Sequence, residues 1–131
     1  MASIDTAVWT RLSGYAGLAA LVAARIYPPP IPQNAVYPLV TYQVIDEIEH
    51  HVFQGSSGIV DTRVQVDCWA FTLAAARTVA AQVRLALDNY AGTSDAIVIK
   101  NSFFESGRVM DYDAEEGVHR YSQDFLIEYV R

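Results

Sequence analysis

The chain has 131 residues, of which 52% are hydrophobic and 18% charged, and its formal net charge is −6. This length supports a core without metals or disulfides, so we expect a single domain over residues 1–131. The negative charge excludes the electrostatic footprint of a non-specific DNA-binding protein, and the lone Cys68 excludes an internal disulfide.

Two helices are predicted near the start of the chain. Ser3 or Asp5 caps the first, whose apolar residues recur at helical spacing, and Gly14 ends it. A short second helix uses Leu18, Leu21 and Val22. The apolar stretch at residues 16–24 is about half of what spans a bilayer, and no basic segment precedes it as in a secretory signal. We therefore expect a protein made in the cytoplasm, without membrane contact.

Four strands and a long helix follow a proline-rich connector. Residues 39–48 and 60–71 alternate between apolar and polar side chains, which is typical of strands. Thr72 caps a helix that runs to about Asn89, and two more strands are predicted at residues 96–105 and 119–130. Residues 50–58 are rich in Gly and Ser and predict a mobile loop.

These elements predict an α+β fold in the order helix-strand-strand-helix-strand-strand. Because the helices must cover an apolar sheet face, we expect an antiparallel or mixed sheet of about four strands with the helices packed on one face. In the first strand, the alternation places Val40, Tyr42, Val44 and Ile48 on one side. In the second, Val64 and its even-numbered neighbours face the helices.

No group of residues indicates catalysis. His50 and His51 lie beside Glu47 and Glu49, but adjacent strand residues point in opposite directions and no third soft ligand is near in sequence, which favours a solvated hairpin end over a metal site. The acidic residues at 111–117 lack the spacing of a calcium loop. Phosphate-binding loops and nucleophile elbows are absent. We expect no enzyme activity, catalytic residue, metal or cofactor.

The other side of the predicted sheet mixes polar groups such as Gln43, Gln65, Asp67, Lys100 and Asp124 with large apolar side chains. Such a mixture is typical of a subunit interface, because a free monomer gains little by exposing large apolar groups. The predicted interface residues are Ile45, Arg63, Trp69, Phe71, Phe104 and Leu126. Alternatively, a loop or the terminal helix covers this side of the sheet.

Several segments, in their order and spacing, carry a family resemblance. They are LAALVAARIYP at 18–28, YPLVTY at 37–42, RVQVDCWAF at 63–71 with the helix after it, YD at 112–113 and RYSQDFLIEY at 120–129. Over nearly its whole length the chain resembles the tail-terminator, or tail-completion, proteins of long-tailed, siphovirus-like bacteriophages. A gene transfer agent or a tail-like bacteriocin is an equally suitable setting. The alternative from another class is a small non-enzymatic binding or regulatory module with a pocket beneath the Ala-rich helix.

The resemblance implies a structural virion protein. Copies would form a homo-hexameric ring that caps the head-proximal end of the tail, stops polymerisation of the major tail tube protein and joins the tail to a head-completion or connector protein. DNA would pass through the lumen without specific binding, which agrees with an acidic wall that repels phosphates. We expect Asp46, Glu47 and Glu49 near the lumen or the axial faces.

Overall fold

The computed structural model describes residues 3–52 and 55–131, and over these ranges the chain forms three helices and a six-stranded sheet. The elements are α1 (Ile4–Ser13), α2 (Ala16–Val22), β1 (Ile26–Tyr27), β2 (Leu39–Val52), β3 (Gly55–Ala70), α3 (Leu73–Leu87), β4 (Gly92–Ser94), β5 (Ile97–Val109) and β6 (His119–Val130). The strand order is β1-β2-β3-β6-β5-β4. The sheet is mixed, because β1 is parallel to β2 and the other pairs are antiparallel. The sequence predicted either an antiparallel or a mixed sheet, and the second alternative is the correct one.

The helix ends follow their capping residues. Ser3, and not Asp5, caps α1: its hydroxyl accepts from the Thr6 amide at 3.3 Å, while its own amide donates to the Thr6 hydroxyl at 3.0 Å. Gly14 is the residue at which α1 ends, as predicted. The Thr72 hydroxyl accepts from the Ala75 amide at 3.1 Å and begins α3. Local hydrogen bonds to free amides therefore fix where these helices start.

The core lies between the helices and the even-numbered residues of β3. Val64, Val66 and Cys68 are fully buried there, together with Val83 of α3 and Phe125 of β6. The predicted helix-facing side of β3 is confirmed. Burial raises the pKa of the Cys68 thiol, so this cysteine stays protonated and unreactive.

The prediction of about four strands missed two short edge strands. β1 pairs with β2 at Val40 and Thr41, and β4 forms a hairpin with β5 through the two-residue turn Asp95 and Ala96. Both turn residues have positive φ, 48° and 65°. Two- and three-residue strands are too short to show an alternating pattern, so the sequence showed only a connector and a turn.

The loop predicted at residues 50–58 is largely a hairpin arm. β2 continues to Val52 and β3 starts at Gly55, with Val52 paired to Gly55; residues 53 and 54 lie outside the described ranges. Gly55 to Gly58 precede the first β3 residue that pairs with β6, so this part of the hairpin extends beyond the sheet. Backbone pairing carries strand structure into a Gly- and Ser-rich stretch.

Two bulges reverse predicted side-chain directions. The register of β2 shifts between Val44 and Asp46, so Ile48 pairs with Asp61 and points away from the helices. A second bulge, in β5 between Ile99 and Asn101, precedes Phe104 and leaves it paired with Phe125 on the helix side. The predicted facing of Ile48 and Phe104 is therefore wrong, because each extra bulge residue moves the following side chains to the opposite face.

Across residues 3–52 and 55–131, every helix is too short or too polar to cross a membrane.

Candidate assembly surface

The side of the sheet opposite the helices, called here the outer face, is formed by alternate residues of β2, β3, β6 and β5. Its position follows from β3, whose even-numbered residues from Val60 to Ala70 are buried toward the helices. The odd-numbered residues and their paired neighbours therefore point outward. The two ends of this face differ in how much other parts of the chain shield them from solvent.

The covered end consists of Thr41, Asp67, Trp69 and Arg120. The Trp69 indole donates to the Thr41 hydroxyl at 3.0 Å, and Arg120 Nη2 donates to Asp67 Oδ2 at 2.6 Å. The Arg120 guanidinium also lies 4.9 Å from the centroid of the Trp69 ring. The proline-rich connector, residues 28–32, lines a groove of about 320 Å³ together with this cluster. The half-buried Trp69 thus makes its hydrogen bond and its ring contact within the same chain.

The open end is apolar and solvent-exposed. Ile48 is 63% exposed, Phe103 47% and Leu126 41%, and Val98 and Val130 lie one row further along the same face. Ile48, Phe103 and Leu126 line a groove of about 370 Å³ together with the charged residues Asp46, Asp61, Arg63 and Glu128. Phe103 and Leu126 are direct cross-strand neighbours, whereas Asp61 and Arg63 of β3 lie between them and Ile48. Exposed apolar side chains interspersed with charged groups are typical of a protein contact surface.

Ion pairs separate the two ends. Both terminal nitrogens of Arg63 donate to the Glu105 carboxylate, and Nη1 also lies 3.4 Å from Asp124 Oδ2. Arg108 approaches the same Asp124 oxygen at 3.4 Å. The Arg63 and Glu105 side chains remain about one-third exposed, so solvent screens the pair and its contribution to stability is small. The fork-like geometry nevertheless orients Arg63 across three strands.

The structure spreads the predicted interface residues over several places. Leu126 and Arg63 border the open-end groove, whereas Trp69 belongs to the covered end. Ile45, 47% exposed, is the bulge residue of β2. Phe71, beyond the end of β3, packs edge-on against the Tyr37 ring with a centroid separation of 5.3 Å.

Phe104, the remaining predicted residue, lies on the helix side. Its ring contacts buried Phe125 edge-on at 5.8 Å, and the Arg84 guanidinium lies 3.9 Å from its centroid. Phe103 is the outward aromatic side chain that the sequence did not reveal. Phe103 and Phe104 are adjacent and of the same type, so the sequence alone could not show which of the two points outward. The position of the bulge decides this.

The acidic residues predicted near a lumen lie on both sides of the sheet. Asp46 is opposite Arg63 in the register and belongs to the outer face. Glu47 and Glu49 follow the bulge on the helix side, where Arg131 lies 2.9 Å from the Glu47 carboxylate and 3.9 Å from that of Glu49. The structure therefore does not bring the three carboxylates to one surface.

Three side chains with metal-ligand chemistry converge at the base of the hairpin arm: His50, Asp61 and Glu128. Their ligand atoms all lie within 4.8 Å of one another. The hydrogen bond between His50 Nε2 and Asp61 Oδ2, at 2.6 Å, raises the pKa of His50 above its ordinary value. In the acidic turn, by contrast, Asp113 Oδ1 accepts from the amides of Glu115 and Glu116, both at 3.1 Å.

The sheet and α3 are closely packed at the place where a binding module would have its pocket. Ala76, Val79, Ala80 and Val83 are at most 2% exposed on the side of α3 that meets the sheet. Small side chains allow close approach of a helix to a sheet, so this packing leaves little space for a ligand. The grooves on the outer face are the better candidates for contacts.

Fold and surface together define the class: an α+β protein with one sheet face in the core and the other partly available for contacts. A family model matches residues 6–129, nearly the whole chain. The chain belongs to this family, Tail completion protein gp17, and is thus a structural phage tail protein. The resemblance that the sequence motifs suggested is confirmed.

Solved structures show the same fold. A chain from the virion of a native gene transfer agent particle is 22% identical and aligns with a TM-score of 0.75, over 98% of this chain and 96% of that chain. A second solved chain, 18% identical, aligns with a TM-score of 0.63 over 98% and 93% of the two chains. No curated protein matches the sequence significantly.

Proposed function

We propose that the chain is a non-catalytic tail terminator. Copies assemble into a hexameric ring at the head-proximal end of the tail tube, stop tube polymerisation and connect the tail to a head-completion or connector protein. The family assignment supports the tail setting. The observation that carries the assembly role is the open end, where Ile48, Phe103 and Leu126 present apolar surface to solvent.

Ring closure requires a heterologous interface, in which one patch of each subunit meets a different patch of the next. The open end is the first patch in this proposal, and the neighbouring copy covers Leu126 and Phe103. Arg63 lies at the edge of this contact, where its partial exposure leaves it accessible to a neighbouring carboxylate. Burying apolar surface of this kind contributes about 25 cal/mol per Å² before the costs of association.

The charge of the chain suits a channel for DNA. At a net charge of −6 per subunit, a ring repels phosphates, and the genome passes without specific binding. In this proposal Asp46, Glu47 and Glu49 lie near the lumen or the axial faces. Their distribution over both sides of the sheet places Asp46 apart from the other two.

Tube growth in vitro tests the proposal. The major tail tube protein of the same particle is polymerised with and without the chain, and tube lengths and ends are measured by electron microscopy. We expect wild-type protein to halt elongation and to form a six-subunit ring at one tube end. Leu126→Asp should abolish capping, because it places a charge in the apolar contact.

Leu85→Asp is the matched control. Leu85 is 61% exposed on α3, away from the outer face, so its replacement should leave capping intact. Tubes that grow unchanged with wild-type protein contradict the terminator role. Equal loss of capping in the two variants contradicts the assignment of the contact to the open end.

A further inference from the structure

The strands at the base of the hairpin arm bring three potential ligands together from distant parts of the sequence. His50 lies on β2, Asp61 on β3 and Glu128 on β6, three neighbouring strands of the sheet. The three ligand atoms lie within 4.8 Å of one another, and His50 Nε2 and Asp61 Oδ2 are 2.6 Å apart. This spacing is close to the separation of two ligands on one Zn²⁺ ion, whose bonds are about 2.0–2.2 Å long.

The sheet register places two like charges side by side in this cluster. Asp61 is the direct cross-strand partner of Glu128 on the outer face. Like charges directly opposite one another on adjacent strands destabilise a sheet. The arginines that flank them in sequence bind other groups: Arg63 contacts Glu105 and Asp124, and Arg131 contacts Glu47. A cation between the two carboxylates would relieve this repulsion.

We propose that His50, Asp61 and Glu128 bind a divalent transition-metal ion of the zinc type. One imidazole nitrogen and two carboxylate oxygens are a ligand set that Zn²⁺ accepts. The imidazole favours Zn²⁺ over Mg²⁺ and Ca²⁺, because those two ions prefer oxygen ligands. Three protein ligands leave a coordination position for water or for a group from a neighbouring molecule. The ion joins β2, β3 and β6 at the point where the arm leaves the sheet.

Zinc binding by the isolated chain tests this proposal independently of tail assembly. Tag-free protein is treated with a chelator and titrated with ZnCl₂ in a calorimeter. We expect saturation at one ion per chain. His50→Ala and Glu128→Gln should each weaken binding by at least about tenfold, because the loss of even an outer-shell partner costs about 10–100-fold.

Two variants of matched chemistry serve as controls. His51→Ala removes the adjacent exposed histidine, and Glu115→Gln removes one negative charge from the acidic turn. Both should bind Zn²⁺ as the wild-type chain does. Circular dichroism confirms that each variant is folded, as expected for substitutions at side chains that are substantially exposed, such as His50 at 41%.

Amide hydrogen exchange gives a second readout. Zn²⁺ should slow exchange in β2 and β3 around His50 and Asp61 in the wild-type chain, and this protection should vanish in His50→Ala. The proposal is overturned if Zn²⁺ does not saturate, if His51→Ala weakens binding as much as His50→Ala, or if Mg²⁺ binds equally well. None of these results bears on tube capping.

Discussion

The covered end and the open end of the outer face lie on the same strands and show the same alternation of side-chain directions. Their large apolar side chains nevertheless differ in solvent exposure. At the covered end, Trp69 donates a hydrogen bond to Thr41 and lies against Arg120, with the proline-rich connector beside them. At the open end, Phe103 and Leu126 remain nearly half exposed. A large apolar side chain that faces away from the helices is thus no sufficient sign of an interface, because loops of the same chain shield one end.

The largest difference between the ends is expected in stability. Trp69→Ala should lower the free energy of unfolding by about 2–3 kcal/mol, since it removes a half-buried ring and leaves the Thr41 hydroxyl without its donor. Phe103→Ala should cost only about 0.5–1 kcal/mol, because its ring is nearly half exposed. Urea unfolding followed by circular dichroism measures both. Equal losses would remove the distinction between the ends.

Substitution of one carboxylate near each end compares the two ends again, with a smaller expected effect on stability. The Asp67 side chain is only 7% exposed and pairs with Arg120, so Asp67→Asn should destabilise the fold by about 1–2 kcal/mol. Glu105→Gln removes a partner of Arg63 near the open end, where solvent screens the pair, so the loss of stability should be smaller than that of Asp67→Asn. Urea midpoints at constant ionic strength compare the two variants. A larger loss for Glu105→Gln contradicts the shielding of the covered end.

The smallest expected effect is a gain that leaves both ends untouched. Ala96 occupies the turn between β4 and β5 with φ 65°, a conformation that glycine adopts without strain. Glycine also raises the entropy of the unfolded chain, which offsets part of this relief, so Ala96→Gly should stabilise the chain by only about 0.5 kcal/mol. Thermal unfolding measures the gain, and the tube assay should show unchanged capping. A change in capping would mean that stability, rather than the open end, controls assembly.

Much of the fold was predictable from local signals. Ser3, Gly14 and Thr72 mark helix ends because their side chains or backbone satisfy free groups of the helix. The helix-facing side of β3 followed from the alternation through Val64 and Val66. These features depend on residues close in sequence, so a pattern of a few residues was sufficient.

The rest depends on contacts between distant residues. Bulges in β2 and β5 reversed the predicted directions of Ile48 and Phe104, and nothing in the local sequence fixes a bulge position. The cluster at the base of the arm was missed for the same reason. The residues next to His50 in sequence did not indicate a metal site, and only the pairing of three strands brings Asp61 and Glu128 to it.

Alkylation of an introduced cysteine tests the central claim most directly, namely that another copy of the chain covers the open end in the assembled tail. The native Cys68 is fully buried and stays protonated, so it contributes little background. Leu126→Cys and Leu85→Cys are alkylated as free protein and on capped tubes. We predict that assembly slows the reaction at position 126 and leaves position 85 unchanged. Equal reactivity at position 126 in the free and assembled states would contradict the account.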